Sequence, residues 1–265
     1  MAVFKLSIFT NRSKAFPLRG RWIGEARTDE VEPKSEIIRK GGKAMLKYAY
    51  IRGISKRTGV PALPEDIIEK PLKELTESDR EILEKAGREA ELKLYRFKNM
   101  GDLPRVQKAI GFLKGVWPES LLDVGSGRGV FLFPFLEEFP FVPVTSADIL
   151  DYRVEFLQDI ARGGIENLTA IQENICSWNA PDKSFDVVTM LEVLEHIPEV
   201  EKAIMNAVRL AKRYVVVSVP SKEDDNPEHI HLLTKDILTD LFTRAGAKSL
   251  HFDGVNGHLF MTARV

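Results

Sequence analysis

Leu121-Leu122-Asp123-Val124-Gly125-Ser126-Gly127-Arg128-Gly129-Val130 reads as a buried strand that breaks into a glycine turn and runs straight into a helix. Leu121, Leu122 and Val124 are strand-like, and Gly125, Gly127 and Gly129 let the backbone take positive φ and approach a ligand closely. Asp148 lies nineteen residues past Gly129, after a second apolar run of Phe141, Val142 and Val144. A carboxylate at the end of the next parallel strand is where a ribose needs an acceptor for its two hydroxyls. Together these features predict a nucleoside-containing cofactor at the carboxyl ends of the first two strands.

The spacing narrows the cofactor. A dinucleotide fingerprint requires G-x-G-x-x-G, but Val130 stands three residues after Gly127, and the glycines run G-x-G-x-G. Asp123, two residues before the first glycine, would repel a pyrophosphate and attract an α-amino group. This resembles the first motif of the class I S-adenosylmethionine-dependent methyltransferases, in their type 11-like form. The likeness continues through Asp148, Phe185-Asp186-Val187-Val188 and Glu192-Val193-Leu194-Glu195-His196-Ile197, and covers roughly residues 105–265. The resemblance implies S-adenosylmethionine as cofactor. It puts the ribose diol at Asp148, the adenine at Ile149, Asn174 and Ile175, and the methionine amino group at Asp123 and Gly125. Ser126, Gly127, Gly129 and Leu191 complete that set. Asn174 stands where the family usually has Asp, and its amide oxygen can still accept from an exocyclic amine. Asp123 has the alternative of simply capping the glycine turn.

Strands are expected near 120–124, 142–147, 168–172, 185–190 and 214–219, with helices near 128–138, 151–162, 199–211 and 234–245. Pro134 should bend the first of these helices. The chain ends in two runs, Lys248–Asp253 and His258–Val265, joined by a four-residue turn at 254–257, which reads as a β-hairpin. The fold class is therefore α/β: a Rossmann-like, doubly wound, seven-stranded sheet with an antiparallel terminal β-hairpin, preceded by a mainly helical N-terminal extension. In the resembling family an antiparallel seventh strand inserts beside the fifth. That ending and Val130 count against a nicotinamide-dependent oxidoreductase.

Residues 1–104 are read as the extension and lid helices, with a linker near 60–64, and residues 105–265 as the cofactor-binding domain. Val3–Phe9 suggests a short strand and Arg12–Arg27 a loop. Residues 35–52 suggest a helix that Gly41-Gly42 interrupts. Thr76 or Ser78 can N-cap a helix whose apolar stripe runs from Ile82 to Tyr95, and Pro104 suits the first turn of the next. In the family such helices often form a lid, which puts Tyr95, Arg96, Phe97 and Lys98 near the cofactor carboxylate.

The catalytic candidates are Glu192, Glu195 and His196, at i, i+3 and i+4 after strand four, with His229 and His231 from the loop after strand five. One helical turn would give the first three a common face. They resemble the Glu-x-x-Glu-His plus distal His set of metal-dependent 2′-O-methyltransferases of small RNAs, and a similar motif occurs in quinone-precursor O-methyltransferases. Metal-free relatives also carry Glu-His followed by Ile-Pro. Three readings stay open: a divalent ion on Glu192, Glu195, His196 and His231, a general base among His196, His229 and His231, or positioning alone. A metal is not expected. Thr189-Met190-Leu191-Glu192 stands where an Asn/Asp-Pro-Pro-Tyr motif would mark methylation of nucleobase or glutamine nitrogens.

Charge divides the chain. Residues 1–60 hold 14 Lys/Arg against 5 Asp/Glu, whereas residues 105–265 hold 16 against 23, within a formal total of −1. The basic arm makes RNA the alternative partner to a small molecule, but phosphate binding needs a basic groove close to the active site. Cys176 is the only cysteine, so no intramolecular disulfide forms, which fits a reducing cytoplasm. The apolar start before Asn11-Arg12 is too short for a signal peptide, and no apolar run reaches the ~18 residues of a membrane span. The expectation is a cytoplasmic S-adenosylmethionine-dependent methyltransferase that O-methylates a small molecule. The alternatives are an RNA methyltransferase and a catalytically inactive protein that keeps the cofactor pocket.

Overall fold

The computed structural model describes residues 34–97 and 101–265. The expected strand at Val3–Phe9, the loop at Arg12–Arg27 and Lys98 lie outside the described residues. Lys34–Val265 form one compact unit. Its helices are α1 (Lys34–Thr58), α2 (Glu65–Glu69), α3 (Glu77–Glu89), α4 (Pro104–Val116), α5 (Leu132–Glu138), α6 (Asp151–Arg162), α7 (Val200–Leu210) and α8 (Lys235–Arg244). Its strands are β1 (Leu121–Val124), β2 (Val144–Asp148), β3 (Leu168–Gln172), β4 (Phe185–Leu191), β5 (Ala211–Pro220), β6 (Ser249–Val255) and β7 (His258–Arg264).

The strands form a single seven-stranded sheet in the order β3-β2-β1-β4-β5-β7-β6. The first five are parallel, and β7 runs antiparallel between β5 and β6. From β1 the chain winds outward to β3 and then returns to β4 on the other side of β1. The crevice outside the carboxyl ends of β1 and β4 is thus the switch point where open α/β sheets bind ligands. Side chains alternate across the sheet. Leu121, Val144 and Val187 face a layer of α1, α4, α5 and α6, and Leu122, Val188 and Val217 face α7 and α8.

Several local expectations are corrected. The β6–β7 strands run on through Gly254-Val255, and the turn is the two-residue Asn256-Gly257, both at positive φ (33° and 84°) as a tight hairpin requires. The helix after the glycine turn begins only at Leu132, so Pro134 falls in its first turn, where no intrahelical N–H bond is lost, and does not bend it. Gly41-Gly42 does not interrupt α1, which is continuous over 25 residues. The stripe from Ile82 to Tyr95 does not lie on one helix. α3 ends at Glu89, and Leu94–Phe97 form a separate 3-10 turn. Thr76 is the N-cap of α3, in a reciprocal capping box with Asp79.

The extension is built onto the sheet layer by close helix contact. α1 approaches α6 so tightly that a Cβ on Gly53 would lie 1.7 Å from the Asp159 carbonyl oxygen, and one on Gly163 1.7 Å from that of Ala49. Arg57 adds a two-pronged bond to the buried Asp159, through Nε and Nη2 at 2.8 Å each. Backbone on both sides leaves no flexible atom to move aside. Gly163→Ala should therefore destabilise the protein by roughly 1–3 kcal/mol, the range for overpacking a tight interface. Urea unfolding should show a lower midpoint at unchanged slope, and an unchanged midpoint would mean that the helices can part without cost.

Candidate active site

The turn after β1 meets its conformational demand with glycine. Gly125, Gly127 and Gly129 have φ of 66°, 57° and 80°. Two of them also have no space for a side chain: a Cβ on Gly125 would lie 2.8 Å from the Val193 side chain, and one on Gly129 2.5 Å from the Phe133 ring. Beneath the turn Asp123 is 3% exposed and accepts from Ser126 Oγ at 2.5 Å and Thr189 Oγ1 at 2.7 Å. Ser146 Oγ in turn donates to Ser126 Oγ at 2.7 Å. Burial pushes the Asp123 carboxyl up to about 6, and the two hydroxyls oppose this only in part. No cation bonds to it among the described residues. Asp148, at the end of β2, accepts from the backbone N–H of Gly127 at 3.3 Å and of Leu150 at 3.0 Å, with Arg153 Nη1 at 3.6 Å.

All ten cofactor candidates, Asp123, Gly125, Ser126, Gly127, Gly129, Asp148, Ile149, Asn174, Ile175 and Leu191, line one cavity of about 1110 Å³ at the switch point. Ile149 is 62% exposed on its wall, whereas Ile175 is buried. Asn174 Oδ1 accepts from the Cys176 N–H at 2.9 Å, which leaves a second lone pair. Tyr95, Arg96 and Phe97 from the extension line the same cavity, as do Leu46, Arg105 and Val106, which no local pattern in the sequence singled out.

The five catalytic candidates do not share one face. β4 runs to Leu191, Glu192 takes a left-handed φ of 59°, and only Leu194–His196 form a 3-10 turn, so the expected helical spacing is absent. Glu192 turns to a separate set: Ser218 Oγ donates to its Oε1 at 2.6 Å, and His258 Nε2 lies 2.9 Å from its Oε2. Glu195, His196 and His229 do come together, each offering a ligating atom within 4.8 Å of the others. His231 is drawn away, with Nε2 against the Ile197 carbonyl at 3.0 Å.

Within the trio the backbone and a neighbour fix the rings. His196 Nδ1 lies 2.9 Å from the Glu228 carbonyl, so it donates there and leaves Nε2 with its lone pair. His229 Nδ1 lies 2.9 Å from Asp224 Oδ1, and the two imidazoles meet edge to face at 4.8 Å. Glu195 is fully buried, and neither of its carboxylate oxygens has a hydrogen-bond partner among the described residues. Burial, with Glu192 and Asp224 nearby, pushes it up to about 8. The sequence reading missed Asp224, five residues before His229 in the same loop, and His258, which meets Glu192 only across the sheet. His196 faces the same cavity as the glycine turn. An acid–base group or a bound cation there would act directly on a ligand beside the cofactor candidates.

Comparison with known proteins agrees with this architecture. Residues 93–251 match the family described as "Methyltransferase domain". A ubiquinone biosynthesis O-methyltransferase of Rickettsia akari is 32% identical over 92 residues, 35% of this chain and 36% of that protein. An uncharacterized methyltransferase of Bacillus subtilis, YcgJ, is 29% identical over 110 residues, 39% of this chain and 42% of its own length. The chain thus spans well under half the length of these curated relatives. Among solved structures, the methyltransferase domain of bacterial CtHen1 superposes with a TM-score of 0.52 at 18% identity, over 63% of this chain and 99% of that one. A SAM-dependent methyltransferase from Aquifex aeolicus gives 0.50 at 20% identity, over 62% and 90%. These two likenesses speak for the fold. The family match over more than half of the sequence goes further, and the chain belongs to the class I S-adenosylmethionine-dependent methyltransferases.

Proposed function

We propose that this enzyme methylates an oxygen atom of a small molecule, with residues 105–265 holding the cofactor and residues 1–104 serving as extension and lid. The observation that carries the reading is His196, whose Nδ1 is committed to the Glu228 carbonyl while its ring faces the cavity of the glycine turn. The similarity to the ubiquinone biosynthesis O-methyltransferases of Rickettsia points the same way. The acidic balance of residues 105–265, 16 Lys/Arg against 23 Asp/Glu, favours a small molecule over RNA.

The residues present fit the cofactor. Asp123 is a buried anion that lacks a cation, which an α-ammonium would supply, and Asp148 keeps lone pairs for a ribose diol. Asn174 and the Ile175 backbone suit the adenine edge, Ile149 its face, and Gly125 through Gly129 leave room for the backbone to approach. Bound there, S-adenosylmethionine supplies an electrophilic methyl group. The protein's part is to align the acceptor hydroxyl and take its proton, and His196 Nε2 is the base. Glu195 and His229 stand behind it, with Asp224 fixing the His229 ring.

One observation favours a second reading of the same trio. An orphaned buried carboxylate beside two imidazoles is a donor set that a divalent cation accepts, and it would consist of Glu195, His196 and His229 without Glu192 or His231.

Calorimetric titration with S-adenosylhomocysteine should show that Asp148→Ala weakens binding by roughly 1.5–3 kcal/mol, the scale of a lost hydrogen bond to a charged group. Unchanged affinity would remove the ribose assignment. His196→Ala should lower kcat by about 10²–10⁴ with S-adenosylhomocysteine affinity retained. Chelation separates the two readings: full activity after metal removal supports the base, whereas loss restored by one divalent ion supports the cation. In metal-free protein, folded Glu195 keeps its proton to about pH 8, but the unfolded chain releases it near 4.5. Stability should therefore fall as pH rises through that window, and Glu195→Gln should flatten the fall. Parallel urea profiles of the two proteins from pH 5 to 8 would overturn the assignment.

A further inference from the structure

The turn that carries Asn174 and Ile175 to the cavity is tied down from behind. Its own backbone closes it, with the N–H groups of Ser177 and Trp178 donating to the Asn174 carbonyl at 3.0 and 2.8 Å. The carbonyls of Ile175 and Trp178 accept instead from a side chain outside the turn, Asn206 Nδ2 of α7, at 2.7 and 2.8 Å. Arg209, three residues further along the same helix, donates through Nε to Asn206 Oδ1 at 2.7 Å and through Nη2 to the Trp178 carbonyl at 3.0 Å. A guanidinium only donates, so its bond settles which end of the Asn206 amide is oxygen and turns the NH2 to the carbonyls. Asn is a poor helix former, and inside α7 these bonds offset its cost.

The bond to Ile175 reaches the cavity through one planar peptide. In a trans peptide the carbonyl of one residue and the N–H of the next point in opposite directions. With the Ile175 carbonyl held by Asn206, the Cys176 N–H is turned the other way, and there it donates to Asn174 Oδ1 at 2.9 Å. Asn174 lines the cavity, whereas Asn206 lies behind the wall, in a separate hollow of the surface that it shares with Arg209. The order is Asn206, the Ile175–Cys176 peptide, then Asn174 Oδ1, each oriented by the bond before it. Without Asn206 that peptide can turn and release the Asn174 amide. An amide that presents its NH2 in place of its oxygen donates where it had accepted.

We propose that Asn206 is the positioning residue for Asn174: from outside the cavity it fixes the Asn174 oxygen as an acceptor, and so makes the cavity select a 6-amino purine over a 6-oxo purine. The inference rests on the cofactor reading above, which puts the adenine edge at Asn174.

The test titrates the full-length protein with S-adenosylhomocysteine and with S-inosylhomocysteine, which differs in carrying a 6-oxo group. The wild type should prefer the former by at least about tenfold, the scale of one mismatched hydrogen bond. Asn206→Ala should bring that preference below about threefold. Asn174→Ala should do the same, and adding Asn206→Ala to it should change the preference by less than about twofold, because one residue acts through the other. If Asn206→Ala does not fold, Asn206→Asp takes its place and is read by the same ratios: it keeps the shape and the bond from Arg209 but has no N–H for the two carbonyls. An Asn206 variant that weakens both ligands equally, with the preference intact, would show a merely structural role and overturn the proposal. So would a preference that survives Asn174→Ala, or a double variant that departs from Asn174→Ala by more than twofold. A wild type that binds both ligands alike would overturn it too and leave the cofactor reading standing, whereas one that binds neither fails earlier, at the cofactor reading itself.

Discussion

Asp123 is an anion inside a parallel sheet with only hydroxyls bonded to it. Its carboxylate ties Ser126 of the glycine turn and Thr189 of β4 to β1, and through Ser126 it reaches Ser146 of β2. One buried group thus joins three strands at the place where the winding of the sheet reverses. Burial, with no cation bonded to it among the described residues, raises its proton affinity. The same residue that organises the turn also lines the cavity beside it.

The glycine turn and the acids that line its cavity were legible because their determinants are local. Glycines at fixed spacing, an acid two residues before them and another at the next strand end all act within some thirty residues of one another. The trio of Glu195, His196 and His229 was half legible for the same reason: Glu195 and His196 are neighbours, but His229 arrives on a loop. His258 gave no local signal, since it acquires Glu192 as partner only when β5 and the hairpin lie against β4, whereas Asp224 lies five residues before His229 in one loop and is marked by no spacing that a regular element would impose. Glu192 misled because a spacing of three and four residues implies a helix. Here the chain leaves a strand through one left-handed residue, and Glu192 is turned toward Ser218 and His258.

The helical extension was read from sequence as a segment apart, and its docking was invisible for a different reason. Gly53 and Gly163 look like ordinary helix and cap glycines in one dimension. Their role appears only when α1 meets α6 and each faces a carbonyl oxygen of the other element. Close approach of two backbones has no periodic signature, because what it requires is the absence of side chains at two unrelated positions.

That docking reaches the glycine turn through aromatic rings. Tyr50 of α1 contacts Phe156 of α6 at 4.9 Å and Phe97 of the Leu94–Phe97 turn at 5.4 Å. Phe97 stacks on Phe133 of α5 at 5.5 Å, and Phe133 is the ring that occupies the space a Cβ on Gly129 would need. Tyr95 and Arg96, on the same 3-10 turn as Phe97, line the cavity. In an interior packed this densely a shift of α1 cannot be absorbed locally. The position of Phe97 is set from one side by the extension and from the other by the glycine turn. The wall that Tyr95 and Arg96 present to the cavity is accordingly part of the same packed body as the glycine turn.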